Sequence, residues 1–337
     1  MSEPEQPDLS EALDTVERYL LGDEPTLTRV EVSERADVPL EVAQELWRLL
    51  GFAHQPDDAV AFTEADVEAL QHTRELIELG ILSADRQAAL VRTWGRSFAR
   101  LAEWQTRLLT DVALESADPV AQVTDLASEV LPRVSALQDY VWRRHLASAG
   151  ARLMASDAAG SDTSQLAVVF VDIVGFTSRS KELTEAELVQ WIEYFEAECS
   201  GLVVDHGGRV IKNIGDEVLF VDEDLSGAAE AALTMAARGA DPDDDFPEVR
   251  AGLAYGDVVS RLGDVFGPTV NIASRLTSIA RPGSVLIDRG AHDVLTGDTS
   301  DQGHEEREHA GFRFRRMRRT SVKGYPRLQS WVLRRSA

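Results

Sequence analysis

The chain has 337 residues, 44% of them hydrophobic, and a formal net charge of −24. That length exceeds one ordinary core of about 100 to 200 residues and predicts two domains. No apolar run approaches the roughly 18 residues of a membrane helix and no basic-then-apolar leader is present. So negative a charge disfavours nucleic acid and anionic lipid surfaces, and a cytoplasmic protein without a membrane span is expected.

Residues 1–146 read as helix after helix and predict an all-α domain. Leu9 to Leu21 opens it. Val42, Leu46, Leu49 and Leu50 then make one apolar face of a helix that Gly51 ends. Thr63 and Asp66 have capping-box spacing, and the helix they open carries Val67, Leu70, Ile77 and Ile81 inward. Helical period continues from Arg86 to Leu114 with Trp94, Phe98, Leu101 and Leu108 near one stripe, and again from Leu137 to Leu146. Residues 147–163, rich in Ala, Ser, Gly and Asp, predict a linker or switch region.

From residue 164 onward the pattern changes. Leu166 to Ile173 is a buried strand, Glu182 to Glu198 a helix, and Arg209 to Lys212 with Glu217 to Val221 a strand pair joined at Gly215-Asp216. A helix over 226–238, a strand over 249–255, a helix over 270–280 and strands near Ser284, Phe312 and Trp331 follow. The order βαββαβ predicts an α+β, ferredoxin-like domain over 164–337, an antiparallel sheet with helices on one face. Cys199 lies among apolar residues in helical spacing and reads as a buried, inert thiol.

Three segments carry candidate chemistry. Asp172 ends a buried strand and is followed at once by the turn Gly175-Phe176-Thr177, so a cation on the acid and a polyphosphate on the turn can share charge. A strand-end Asp also serves as a plain turn former. Asp216 lies in the tight turn of Lys212-Asn213-Ile214-Gly215-Asp216-Glu217, and two acids on neighbouring strand ends can clamp a metal pair for in-line attack at phosphorus. Lys212, close to buried strands, asks for a partner. Asn271 and Arg275, four apart, share one helical face, where an amide can hold a sugar oxygen and a guanidinium can face charge growing on phosphorus. They equally suit a plain surface pair.

Together these segments resemble the catalytic domain of the class III nucleotidyl cyclases, from about Leu166 to Leu333. The resemblance implies two divalent ions, Mg²⁺ or Mn²⁺, on Asp172, Asp216 and the Ile173 backbone. It implies a base-recognising pair in Lys212 and Asp264, a transition-state pair in Asn271 and Arg275, and phosphate contacts from the Gly175 turn and from Lys323 in Ser321-Val322-Lys323-Gly324. Lys212 can donate and Asp264 accept, as adenine requires and guanine does not. ATP is therefore the expected substrate and cyclic AMP the product. Because such a site draws residues from two subunits, a homodimer with two composite sites is expected.

The N-terminal half resembles, more by layout than by motif, the regulatory domain of the pH-responsive actinobacterial adenylate cyclases, whose catalytic domains it restrains. The resemblance makes His72 and His145 candidate pH sensors, His145 standing beside Arg143 and Arg144. It makes a fatty acid a candidate ligand near Trp94, Phe98, Leu101 and Leu108, although such a stripe is also ordinary core. Three rivals remain. Val30 to Leu50 has the look of a helix-turn-helix, but residues 1–70 hold four arginines, no lysines and 18 acids, a surface unsuited to DNA. A diguanylate cyclase would need glycine where Ile214 stands. A catalytically weak nucleotide-binding module is the third. The basic cluster Arg313, Arg315, Arg316, Arg318, Arg319 and Lys323 reads either as a polyphosphate neutraliser or as a solvated hairpin face.

Overall fold

In the computed structural model, which describes residues 17–18, 20–80, 84–116, 118–155, 163–297, 306–318, 320–322 and 324–336, the chain divides into two units, Met1–Ala155 and Ser156–Ala337. Threonine caps organise the first unit. Thr28 opens helix α1 (Arg29–Ala36) with Glu31 as its reciprocal partner, and Thr63 opens α3 (Glu64–Glu78), its N–H donating to Asp66 at 2.8 Å. Between them lies α2 (Leu40–Leu50), and strands β1 (Leu27–Thr28) and β2 (Val60–Phe62) pair as a short antiparallel ladder, a feature that reading the half as all helix missed. Leu27, Val32, Ala43, Trp47, Val67 and Leu70 form the core, with the Trp47 and Phe62 rings 4.9 Å apart. Ile81 and the segment before Glu17 lie outside the described residues.

Two long helices follow, α4 (Ala84–Leu114) and α5 (Pro119–Ala155). Helix α5 corrects the linker boundary at 147, because helical backbone continues to Ala155. The stretch owes its small-residue composition largely to alanine, the best helix former, rather than to flexible glycine. The stripe on α4 also departs from expectation. Trp94, Phe98 and Leu108 are 40, 58 and 49% exposed, so among the described residues they are not enclosed as core or as a pocket. One cavity of this unit, of about 540 Å³, lies along Leu46, Leu49 and Ile77. Among the described residues no helix is long and apolar enough to cross a membrane.

The second unit is built on strand β3 (Thr163–Ile173), buried on both faces from Leu166 to Val171. Helix α6 (Phe176–Arg179), α7 (Glu185–Asp205), β4 (Arg209–Ile214), β5 (Glu217–Asp222), α8 (Leu225–Ala240) and β6 (Val249–Arg261) follow. The chain continues through β7 (Asp264–Phe266), α9 (Pro268–Ile279), β8 (Val285–Ile287), α10 (Arg289–Thr296), β9 (Glu306–His309), β10 (Phe312–Arg316), β11 (Thr320–Val322), β12 (Tyr325–Leu328) and β13 (Trp331–Arg335). The main sheet runs β4-β5-β3-β6-β8-β13-β10-β9, with β7 on β6. Its β4-β5-β3-β6 part is the ferredoxin-like core.

Helices α7 and α8 cover one face, where alanines 228, 229, 231 and 232 let α8 lie close to Val169, Val171 and Phe220. Two features correct the one-faced antiparallel picture. Strands β6 and β8 pair in parallel, and α9 packs on the opposite face over Val168, Phe170 and Leu219 through Ala273. The close approach of α9 depends on Gly252, opposite Phe170 in the ladder. A Cβ there would sit 2.3 Å from the Thr277 nitrogen. Cys199 is fully buried, and burial pushes its thiol well above the usual range, as an inert thiol requires.

Candidate active site

The ladder sets the acidic end of the site. Asp172 is the last but one residue of β3 and stands directly opposite Glu217 on β5 and Arg250 on β6. Beyond β3, Gly175 takes a left-handed φ of 71°, which turns the chain into the single turn of α6 and holds Phe176 and Thr177 beside the strand end. The Ile173 N–H donates to the Asp216 carbonyl at 3.1 Å, so the β4–β5 turn is fastened to the end of β3 and the two acids share one edge. Phe176 stacks on Trp191 with ring centroids 5.6 Å apart, and the Arg179 guanidinium lies 4.9 Å over the same indole.

Electrostatics at this edge are unfavourable for the chain alone. Burial pushes the Asp172 carboxyl up, Arg250 opposes that shift, and the charge of Asp216 adds to it. Glu217 is pushed up to about 7, first by burial and then by Asp172 and Asp216. Arg250 answers with its Nε 2.7 Å and its Nη2 2.6 Å from Asp172 Oδ2. One guanidinium thus pairs with Asp172 and acts on Glu217 as well. Among the described residues no three acidic, histidine or cysteine side chains converge as a self-sufficient metal cage. A Mg²⁺-type ion does not need one, since it takes one or two carboxylates and completes its shell with water and substrate phosphate. Two acids on one edge with excess negative charge fit that demand.

Lys212 and Asp264 meet, Nζ to Oδ2, at 2.5 Å, joining β4 to the β6–β7 hairpin. The second Asp264 oxygen accepts the Val265 N–H at 2.8 Å, which fixes the carboxylate plane. Lys212 is 42% and Asp264 31% exposed at the side chain, open enough to meet a ligand.

Asn271 and Arg275 are not brought to the acids. Helix α9 begins over Asp257, whose carbonyl accepts the Thr269 hydroxyl, and Asp257 faces Gln165 at the far end of β3. It ends with Thr277 over Phe170. Asn271 therefore stands about 9 Å back along the helix from Thr277, while Asp172 lies about 7 Å beyond Phe170 the other way. Roughly 15 Å of strand direction separates Asn271 from Asp172 within one chain, and roughly 10 Å separates Arg275, two residues before Thr277, from it. Asn271 is exposed, and neither its side chain nor that of Arg275 has a hydrogen-bond partner among the described residues. Lys323 lies outside the described residues.

Sequence reasoning missed Arg250 and Glu217. Glu217 was adjacent to Asp216 in plain view. Arg250 stands just before the run Ala251-Gly252-Leu253-Ala254, but nothing short of the strand register pairs it with Asp172. In the first unit His72 lies 3.5 Å from Glu75 on α3, and His145 is exposed on α5.

Residues 159–335 match the family described as the adenylate and guanylate cyclase catalytic domain, and residues 6–151 the adenylate cyclase regulatory domain. The chain belongs to the adenylate and guanylate cyclase family. Within that family its relatives include proteins named adenylate cyclase. One from Streptomyces coelicolor is 41% identical over 83% of this chain and 74% of its own length. One from Glutamicibacter nicotianae is 36% identical over 84% and 75%. A third, named a pH-sensitive adenylate cyclase, from Mycobacterium tuberculosis, is 33% identical over 84% and 74%.

Proposed function

We propose that the chain is an adenylate cyclase that turns ATP into 3′,5′-cyclic AMP and pyrophosphate, with each site built from two copies of the chain. The ribose 3′-oxygen attacks the α-phosphorus, the bond from that phosphorus to the bridging oxygen breaks, and the 3′-hydroxyl proton leaves to solvent. Two divalent ions, Mg²⁺ or Mn²⁺, on Asp172, Asp216 and the Ile173 backbone would activate the 3′-oxygen and neutralise phosphate charge. The turn Gly175, Phe176 and Thr177, with Lys323, binds the phosphates. Lys212 donates to and Asp264 accepts from adenine. Asn271 and Arg275 of a second copy orient the ribose and stabilise charge on the transferring phosphorus.

The observation that carries this reading is the fastening of the Asp216 turn to the end of β3, which gives two acids one edge where their charges oppose burial. Names borne by the relatives support ATP over GTP, and so does the donor–acceptor polarity of Lys212 and Asp264. Cyclic nucleotide formation by the full chain, assayed with ATP and with GTP in Mg²⁺ and in Mn²⁺, tests it. ATP is expected to be used at least tenfold better by kcat/KM. Equal use of GTP would remove the adenine assignment, and no product from either would remove the enzyme.

Control by the first unit is part of the proposal, supported by the regulatory-domain match and the pH-sensitive relative. His145 and His72 are its candidate sensors. His145→Asn is expected to move the pH profile of the rate, and an unchanged profile would discard that residue.

A further inference from the structure

The basic cluster of the last strands has a place in the fold apart from the catalytic edge. Strand β10 puts Arg313 directly opposite Arg334 on β13. Arg315, two residues along, points to the same face and lies diagonal to Arg334, at roughly 7 Å between Cβ atoms. Like charges placed so destabilise a sheet unless something answers them. Arg313 is answered by Glu308 at 2.7 Å, and Arg335 nearby by Glu230 at 2.9 Å. Arg315 stands opposite Glu306 in the β9–β10 ladder, yet the side chains of Arg315, Arg334 and Arg281, the last in the turn after α9, have no hydrogen bond or ion pair among the described residues. In a chain with 58 acids and 34 bases, three neighbouring guanidiniums without an ion pair among the described residues are a departure.

All three line one cavity of about 370 Å³, within the size range of small-molecule sites. Its floor includes Ile279, Met317 and Val332, which belong to the apolar cluster beneath α9. No residue assigned above to catalysis lines it, and its wall includes the last turn of the helix that carries Asn271 and Arg275.

We propose that this cavity binds a small phosphate monoester bearing an apolar substituent, with phosphoryl oxygens on Arg315, Arg334 and Arg281 and the substituent on Ile279, Met317 and Val332. A carboxylate satisfies one guanidinium fork. A phosphate monoester brings close to two charges and three acceptor oxygens, which suits three. The apolar floor distinguishes such a ligand from free phosphate. The inference does not depend on which reaction the chain catalyses.

Calorimetric titration of the full chain with phenyl phosphate tests it, with EDTA present so that no divalent ion draws the probe to the acidic edge. A dissociation constant on the order of 0.1–1 mM is expected, with phenol and inorganic phosphate each at least tenfold weaker. The double variant Arg315→Gln with Arg334→Gln should lose at least tenfold in affinity, and Asp172→Asn should bind as the parent does. Because the double variant relieves repulsion, it should melt no lower than the parent without ligand, and phenyl phosphate should raise the melting temperature of the parent alone. Arg281→Gln, outside the sheet, gives the same weakening should the double variant fold poorly. The proposal is overturned by an absence of saturable binding at millimolar probe, by variants that bind unchanged, or by loss of binding in Asp172→Asn.

Discussion

The two ends of strand β3 are opposite in character. At the Ile173 end, the carboxyl groups of Asp172 on β3 and of Asp216 and Glu217 at the β4–β5 turn crowd one edge, partly buried, and Arg250 offsets their charge. Toward the other end, α9 presents an amide and a guanidinium that have no hydrogen-bond partner among the described residues. In the proposed dimer, the acidic edge and the pair Asn271 and Arg275, set roughly 10–15 Å apart along one strand, supply complementary halves of one site. A second copy related by a two-fold axis would bring each half to the other's complement, and an isologous pairing would make two such sites at once.

Complementation is the most severe way to break this comparison. Asp172→Asn and Asn271→Ala are each expected to lower cyclic AMP formation by at least a hundredfold, the cost of losing a metal-binding acid or a group that meets the transition state. Mixed after co-refolding in equal amounts, half of the dimers would be mixed, and each would keep one intact site of two. Activity should therefore return to roughly a quarter of the parent's. A mixture as inactive as its parts would mean that the halves act within one chain or not at all.

The acidic end can be sharpened by removing its one cation. Arg250→Ala leaves Asp172, whose side chain is 15% exposed, without its partner and beside two further carboxyl groups. Loss of one member of a fully buried pair costs about 3–5 kcal/mol. With Arg250 itself 34% exposed, about 1–3 kcal/mol is the expected loss, read from urea unfolding in EDTA. Restoration of much of that stability by Mg²⁺ would show a cation replacing the guanidinium, whereas a variant as stable as the parent would mean the pair is solvent-screened.

Much of this architecture was legible in the sequence, and what was not has identifiable causes. Leu166 to Ile173 reads as a strand because it is continuously apolar and ends at an acid before a glycine turn. The Lys212–Asp264 meeting, across 52 positions, came from the family resemblance, and the 2.5 Å contact shows what holds it. Arg250 escaped because a residue's partner across a ladder depends on register, which periodicity leaves open. The far-face position of α9 escaped because its apolar stripe says that it packs, not on which side of the sheet. Ala147 to Ala155 reads as a linker because its small residues bury little, whereas the alanines among them favour helix.

The smallest expected effect separates charge crowding from simple burial at the acidic end. Glu217 holds its proton up to about 7 in the folded chain, against 4.5 for the free side chain. A raised acid binds its proton more tightly folded than unfolded, so its contribution is full below about pH 4.5 and is lost as pH climbs through 7. Asp288, raised to about 6 by burial at the cap of α10, adds a slope of the same sign. In EDTA, unfolding free energy should thus fall between pH 5 and 7.5, and Glu217→Gln should flatten that fall while leaving the Asp288 part. Because Asp172 and Asp216 supply the charge part of the shift, Asp216→Asn should flatten it in part, whereas a slope identical in Glu217→Gln and the parent would place the titrating group elsewhere.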